Sequence, residues 1–255
     1  MTSKLNSILR QTIKSQVRAE PWPKGALNPP LYQAHRGIIA QGIFENTWQS
    51  LAKARSQGFE MAEIDVQLTR DQIPILFHDE NLLRLSGHDR EIRNLSLSEM
   101  KSLFPVTTLS EALARKEVTP LLNIELKTKV KFDEPLERKV SEVIDRFQAQ
   151  SRVMFSSFNP FSIFRISKFL PQVPRALLVA GEVTHENQRV LREMWLAPIL
   201  SIHALHLEKA LITEEEMNFW RRKRVPIAIW TLQSPQEILK YQQMKPMSLI
   251  TDLAP

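Results

Sequence analysis

The sequence predicts an α/β fold, a single TIM-type (β/α)8 barrel with a β-hairpin rising from its second strand. Three observations predict it. The chain has 255 residues, a length at which such barrels fold as one domain. Short β-branched or apolar runs alternate with longer helical patterns, the signature of βα units on a parallel sheet. One pair of strand-like runs is joined by only four residues, Thr69 to Gln72, too few for a parallel crossover, which needs about a dozen.

At the start of the chain, Leu5, Ile8, Leu9, Ile13 and Val17 recur at helical spacing with Lys4, Arg10, Lys14 and Arg18 among them, which reads as an amphipathic basic helix. Packing against the body of the domain is its expected role, ahead of peripheral contact with an anionic membrane surface. Pro21, Pro23, Pro29 and Pro30 mark a linker. Residues 1–30 therefore read as a helix and Pro-rich linker, and residues 31–255 as the barrel domain. Nine strand-like runs follow, at 31–36, 60–68, 73–78, 120–127, 152–157, 175–180, 199–206, 226–231 and 248–251. Helical patterns lie at 47–57, 96–103, 108–116, 134–149, 160–169, 185–195, 213–223 and 235–243. Nine strands are one too many for the barrel, and folding 60–68 and 73–78 into an antiparallel hairpin removes the surplus. A turn centred on Asp71 and Gln72 would set Asp65 opposite His78 and return His78 to the barrel mouth.

Composition narrows the function. With 43% apolar and 24% charged residues, the chain is an ordinary globular protein. The absence of cysteine excludes disulfides, thiolate catalysis and cysteine-ligated zinc. A formal charge of +6 suits an anionic partner. The densest basic run, Arg221 to Arg224, reads as the solvated C-terminal end of a helix. No stacking aromatics interleave with it, so no nucleic-acid partner is expected. The opening residues lack the apolar core of a secretory signal and nothing later has transmembrane length, which gives a cytoplasmic expectation.

The chemistry gathers at the ends of strands. In "MAEIDVQL", Glu63, Asp65 and Gln67 alternate with apolar residues and so share one face. In "PLLNIELK", a buried-type run ends with Asn123, Glu125 and Lys127 on one alternate face, and charges there are costly unless paired or bound to metal. At the C-terminal ends of barrel strands, where barrel active sites lie, Glu63, Asp65 and Glu125 can converge as hard oxygen donors suited to one divalent cation, Mg²⁺ or Ca²⁺. "HRG" brings His35 and Arg36 to the same mouth, where Gly37 lets the backbone turn away. His35 and His78, beside a cation with Arg36 and Lys127 near, form a general acid and base around a phosphate.

These residues resemble the glycerophosphodiester phosphodiesterase family, through "HRG", "ENT", "EIDVQLTRDQIPILFHDE", "NLSLSEM", "TLSEAL", "NIELK", "SSF", "IWT" and "ITDLAP" in order from about residue 31. The resemblance implies a barrel, a divalent cation on Glu63, Asp65 and Glu125, and catalytic histidines at His35 and His78. It also implies Arg36 as a phosphate ligand, Glu45 near the metal, Lys127 as an electrostatic partner and Trp230 in the pocket wall. The implied reaction is hydrolysis of a small-molecule glycerophosphodiester to sn-glycerol 3-phosphate and an alcohol. Three features depart from the family pattern: Gln72 stands where the hairpin turn usually has Gly, Gln233 stands where Asn is usual, and the insertion before the next helix is reduced, with 29 residues between Asp79 and Leu109. Two other readings remain: phospholipase D-like action on a lysophospholipid or another lipid phosphodiester, favoured by the basic helix and the reduced insertion, and a non-catalytic barrel that binds a phosphorylated ligand. Oligomeric state has no signature in the sequence.

Overall fold

Eight parallel strands close on themselves in a computed structural model that describes residues 11–128, 135–181 and 194–254. They are β1 (Tyr32–His35), β2 (Met61–Leu68), β5 (Leu121–Leu126), β6 (Val153–Ser157), β7 (Arg175–Val179), β8 (Ala204–Glu208), β9 (Ile227–Leu232) and β10 (Ser248–Thr251). Each pairs with the next in that order, and β1 pairs with both β10 and β2 to complete the barrel. The remaining strands, β3 (Pro74–Leu76) and β4 (Thr107–Thr108), extend antiparallel from β2.

Helices start where the sequence caps them. Thr47, Ser96 and Thr108 each accept the backbone N–H three residues on, and the residue at that position bonds back to the cap, an arrangement that satisfies two otherwise unpaired donors. Asn159 and Ser234 cap helices whose first residue is proline, the position where a missing N–H costs nothing. The helix Glu214–Arg222 opens on three glutamates and ends on Arg221 and Arg222, so the basic run sits where the helix dipole favours it.

Apolar strand faces pack outward against these helices, around Leu51, Ile64 and Ile124 on one side and Leu205, Trp220 and Ile229 on the other. Leu27, Met61, Met154, Ala176 and Ala204 close the N-terminal end of the barrel, with Trp22 against them. The Pro-rich stretch thus runs beneath the barrel floor, where the Trp22 indole donates to the Leu27 carbonyl at 2.8 Å. Residues 11–16 are helical. Lys14 pairs with Glu216 at 2.6 Å, and Val17 is buried in the core around Trp220. Leu5, Ile8 and Leu9, and most of the helical pattern at 185–195, lie outside the described residues.

Two expectations are corrected. The hairpin register places Val66 opposite Leu76, and the Phe77 N–H donates to the Asp65 carbonyl at 2.9 Å, so Asp65 faces Phe77 and not His78. The turn centres on Asp71 alone: Thr69 and Ile73 close it, and Gln72 takes a left-handed φ of 59°. The strand expected at 199–206 begins later, at Ala204. Residues Ala197–Ile199 are taken up by a tight helical turn that opens on Ala197 and Pro198, so the strand starts after it, with the His203 N–H donating to the Arg175 carbonyl at 2.8 Å, and runs on to Glu208.

Candidate active site

β1 delivers His35 to the mouth and then turns sharply. Arg36 and Gly37 both have positive φ, 56° and 78°. A Cβ on Gly37 would lie 2.5 Å from Ser50 Oγ and 2.6 Å from the Ser50 carbonyl carbon, so glycine is required by close approach as well as by conformation. The Arg36 N–H donates to the Glu63 carbonyl, and the Arg36 carbonyl accepts from the Asn46 N–H, both at 2.9 Å. This locked, left-handed arginine aims its guanidinium at Asp65 (Nε to Oδ2, 3.2 Å) and Glu45 (Nη1 to Oε1, 3.0 Å).

Strand alternation sends Glu63 and Asp65 of β2 inward, with Glu125 of β5 in register beside Asp65. One carboxylate oxygen from each of Glu63, Asp65 and Glu125 lies within 4.8 Å of the others, and all three residues are buried. Asn46 clasps Asp65 from both ends: its amide donates to Oδ2 at 2.8 Å, and its carbonyl accepts the Asp65 N–H at 3.0 Å. Lys127 Nζ stands 2.9 Å from Glu125 and 3.4 Å from Asp65. Burial works against the Asp65 carboxylate, but the Lys127 and Arg36 charges outweigh it and hold its pKa far below the usual range. Glu63 goes the other way, pushed well up by burial and then by the charges of Asp65 and Glu125. Glu63 Oε2 is buried with no hydrogen-bond partner among the described residues.

Each histidine is held by an aspartate. His35 Nδ1 lies 2.7 Å from Asp252 Oδ1, and His78 Nδ1 lies 2.7 Å from Asp79 Oδ1. An ionised carboxylate only accepts, so each Nδ1 carries the proton and each Nε2 is the nitrogen that can exchange one. Burial lowers the His78 pKa below its ordinary value, against the opposing pull of Asp65. Burial also opposes the charge on Asp252, yet the bond from His35 keeps its carboxyl below the ordinary range. The Gln67 amide nitrogen lies within 3.0 Å of the Phe77, His78 and Asp79 carbonyls, which fixes the segment after the hairpin.

Behind this layer Arg84 ties Asp79 to Glu45, with bonds of 2.6 Å to each. Glu45 thus sits between two arginines, behind Arg36. His35, Arg36, Glu63, His78, Glu125 and Lys127 line a cavity of about 280 Å³ at the C-terminal ends of the strands, with Trp230, Phe158 and Leu178 on its apolar side. The Phe158 and Trp230 rings meet edge to face at 5.7 Å.

Sequence reasoning missed Asp252, Asn46 and Arg84 as supports. Asp252 had a signal: it follows the last strand, barrel closure sets that strand beside β1, and an acid there meets His35. Arg84 had none, because nothing in its local pattern links it to Glu45.

The model of the Glycerophosphoryl diester phosphodiesterase family matches residues 35–254. A glycerophosphodiester phosphodiesterase of Caldanaerobacter subterraneus is 26% identical over 233 residues, covering 86% of this chain and 92% of that protein. A human lysophospholipase D is 37% identical over 67 residues, 26% of this chain and 21% of that protein. Among solved structures, an Oleispira antarctica phosphodiesterase in complex with the product sn-glycerol-3-phosphate superposes with a TM-score of 0.75 at 25% identity, covering 89% of this chain and 94% of that one. The chain belongs to the glycerophosphoryl diester phosphodiesterase family and is a phosphoric diester hydrolase.

Proposed function

We propose that this barrel hydrolyses glycerophosphodiesters to sn-glycerol 3-phosphate and an alcohol by two-histidine acid/base catalysis. The observation that carries the reading is the pair of His–Asp couples, His35–Asp252 and His78–Asp79, on one cavity with a trio of buried carboxylates. A divalent cation, Mg²⁺ or Ca²⁺, fits that trio. The donors are all hard oxygens, Glu63 Oε2 has no partner among the described residues, and the crowding that raises Glu63 is the repulsion a cation relieves. Glu63, Asp65 and Glu125 would hold it. When bound, such an ion supplies positive charge against the phosphate oxygens.

Arg36 and Lys127 face the same space and neutralise charge that develops on the phosphoryl oxygens, the kind of stabilisation that dominates phosphoryl transfer. One imidazole takes the proton of the attacking oxygen through Nε2, and the other delivers a proton to the departing alkoxide. Asp252 and Asp79 hold the two rings in the required tautomer, and Arg84 anchors Asp79. The apolar wall at Trp230 and Phe158 shields the reacting groups from bulk water.

Replacing His35 or His78 with alanine should lower kcat by about 10²- to 10⁴-fold while near-UV circular dichroism stays native. Near-wild-type turnover in either variant would remove the two-histidine scheme.

A second reading keeps the site and gives it a lysophospholipid. Ile39 and Leu83, 60% and 52% exposed, flank the segments that carry Glu45 and Arg84 and offer apolar surface to an acyl chain. On that reading turnover rises with acyl length; indifference to chain length excludes it.

A further inference from the structure

Two side chains of the cavity lining, His206 and Trp230, carry polar atoms whose hydrogen-bonding capacity the hydrolytic scheme leaves unused. His206 lies in the middle of β8 and is fully buried, and neither ring nitrogen has a hydrogen-bond partner among the described residues. The Trp230 indole Nε1, on adjacent β9, is also buried without one. Both side chains line the cavity that holds His35, His78 and Glu125. The ladder sets His206 beside Ala228 and Glu208 beside Trp230, so His206 and Trp230 occupy successive inward layers of neighbouring strands.

Buried polar atoms without partners are uncommon, because each forfeits its hydrogen bonds to water. Three of them, on two side chains that line one cavity, match a ligand that carries hydroxyl groups. Burial pushes the His206 imidazole down to about 3, so the ring is neutral near pH 7 and presents one N–H donor and one bare acceptor nitrogen. A hydroxyl both donates and accepts, and complements that ring; the Trp230 N–H adds a donor for a second hydroxyl. Glu208, in register beside Trp230 and lining the same cavity, adds a carboxylate that can accept from such a hydroxyl and that opposes a second phosphate there.

We propose that His206 and the Trp230 indole form a polyol subsite, in which hydroxyls of the alcohol esterified to the phosphate bind, and that His206 sets a preference for hydroxyl-bearing diesters. The inference rests on the phosphodiesterase reading for its substrate, though not for its binding chemistry. Those hydroxyls belong either to the glycerol kept in the product or to the leaving alcohol.

Calorimetric titration of the full chain with Mg²⁺ present, using sn-glycerol 3-phosphate and ethyl phosphate, tests the subsite. The wild type should bind glycerol 3-phosphate at least about tenfold more tightly, since a site built for a hydroxyl rejects the analogue without it. His206→Leu should bring the two affinities together, and His206→Gln should keep part of the difference. Equal affinities in the wild type, or an undiminished preference in His206→Leu, would overturn the proposal. His206→Leu should also melt at or above the wild-type temperature, because it removes two unpaired buried nitrogens; a fall of about ten degrees would make His206 a core residue and overturn it too. A KM rise in His206→Leu that is equal for glycerophosphocholine and glycerophosphoglycerol assigns the subsite to the retained glycerol, and a rise for the latter alone assigns it to the leaving alcohol. Hydrolysis without hydroxyl preference removes the subsite and leaves the activity; hydroxyl preference without hydrolysis does the reverse.

Discussion

Gly37 carries the geometry of the turn that follows β1, and its replacement is the sharpest stability test at the residue scale. Gly37→Ala would drive a Cβ into Ser50 Oγ and its carbonyl carbon, in a conformation that alanine disfavours. A loss of about 2–3 kcal/mol is expected, read as a lower denaturant midpoint; an unchanged midpoint would show that the turn does not need its close approach to Ser50. Buried histidines set a pH dependence. Burial pushes His203 and His206 down to about 4 and about 3, with the Arg175 charge adding to the effect at His203. Below about pH 6.5 the unfolded chain protonates both rings while the folded chain does not. These rings therefore impose no pH-dependent penalty above about pH 6.5, and stability falls as pH drops toward the folded values, by ~1.4 kcal/mol per pH unit for each ring. Between pH 6 and pH 5, His206→Leu should lose stability less steeply than wild type by about one ring's share, and parallel slopes would contradict the burial argument. The chemistry-bearing residues were legible at this scale because strand alternation and barrel polarity both point them to the mouth. Asn46 was not, since its contribution depends on a left-handed backbone, φ 55°, that spacing does not encode.

At the scale of elements, the hairpin shows where pattern reading stops. Its existence followed from the short connection, but its register shifted by one residue because the turn adopts a left-handed Gln72. A non-glycine residue there carries strain, and Gln72→Gly should raise stability by about 0.5–1 kcal/mol; a loss would mean that the Gln72 side chain holds the turn in some other way. His78 still reaches the cavity because Gln67 clamps the chain beyond β3. β4 escaped notice because a two-residue strand has no periodicity to read. The segment between Asp79 and Leu109, though short, builds its own apolar layer of Leu82, Ile92, Leu95, Met100 and Phe104 against the hairpin. Arg84 projects from that segment, which thus supplies a support of the site through Asp79 and Glu45.

Across the whole molecule, the barrel was legible because eight parallel strands with helices between them leave one closed solution. Closure is also what brings the two ends of the chain into the site, since Asp252 from the C-terminal end grips His35 from the first strand. Lys14, in the helical residues 11–16, and Val17 just after them pack on the barrel. Among the described residues no helix is long and apolar enough to cross a membrane. Hydrolysis of glycerophosphodiesters by the carboxylate trio and the two histidines is decided by measuring glycerol 3-phosphate released from glycerophosphocholine by metal-stripped protein before and after Mg²⁺ or Ca²⁺ is restored. Release should be negligible from the stripped protein and return with a cation; a folded protein that releases none with either cation would overturn the hydrolytic scheme.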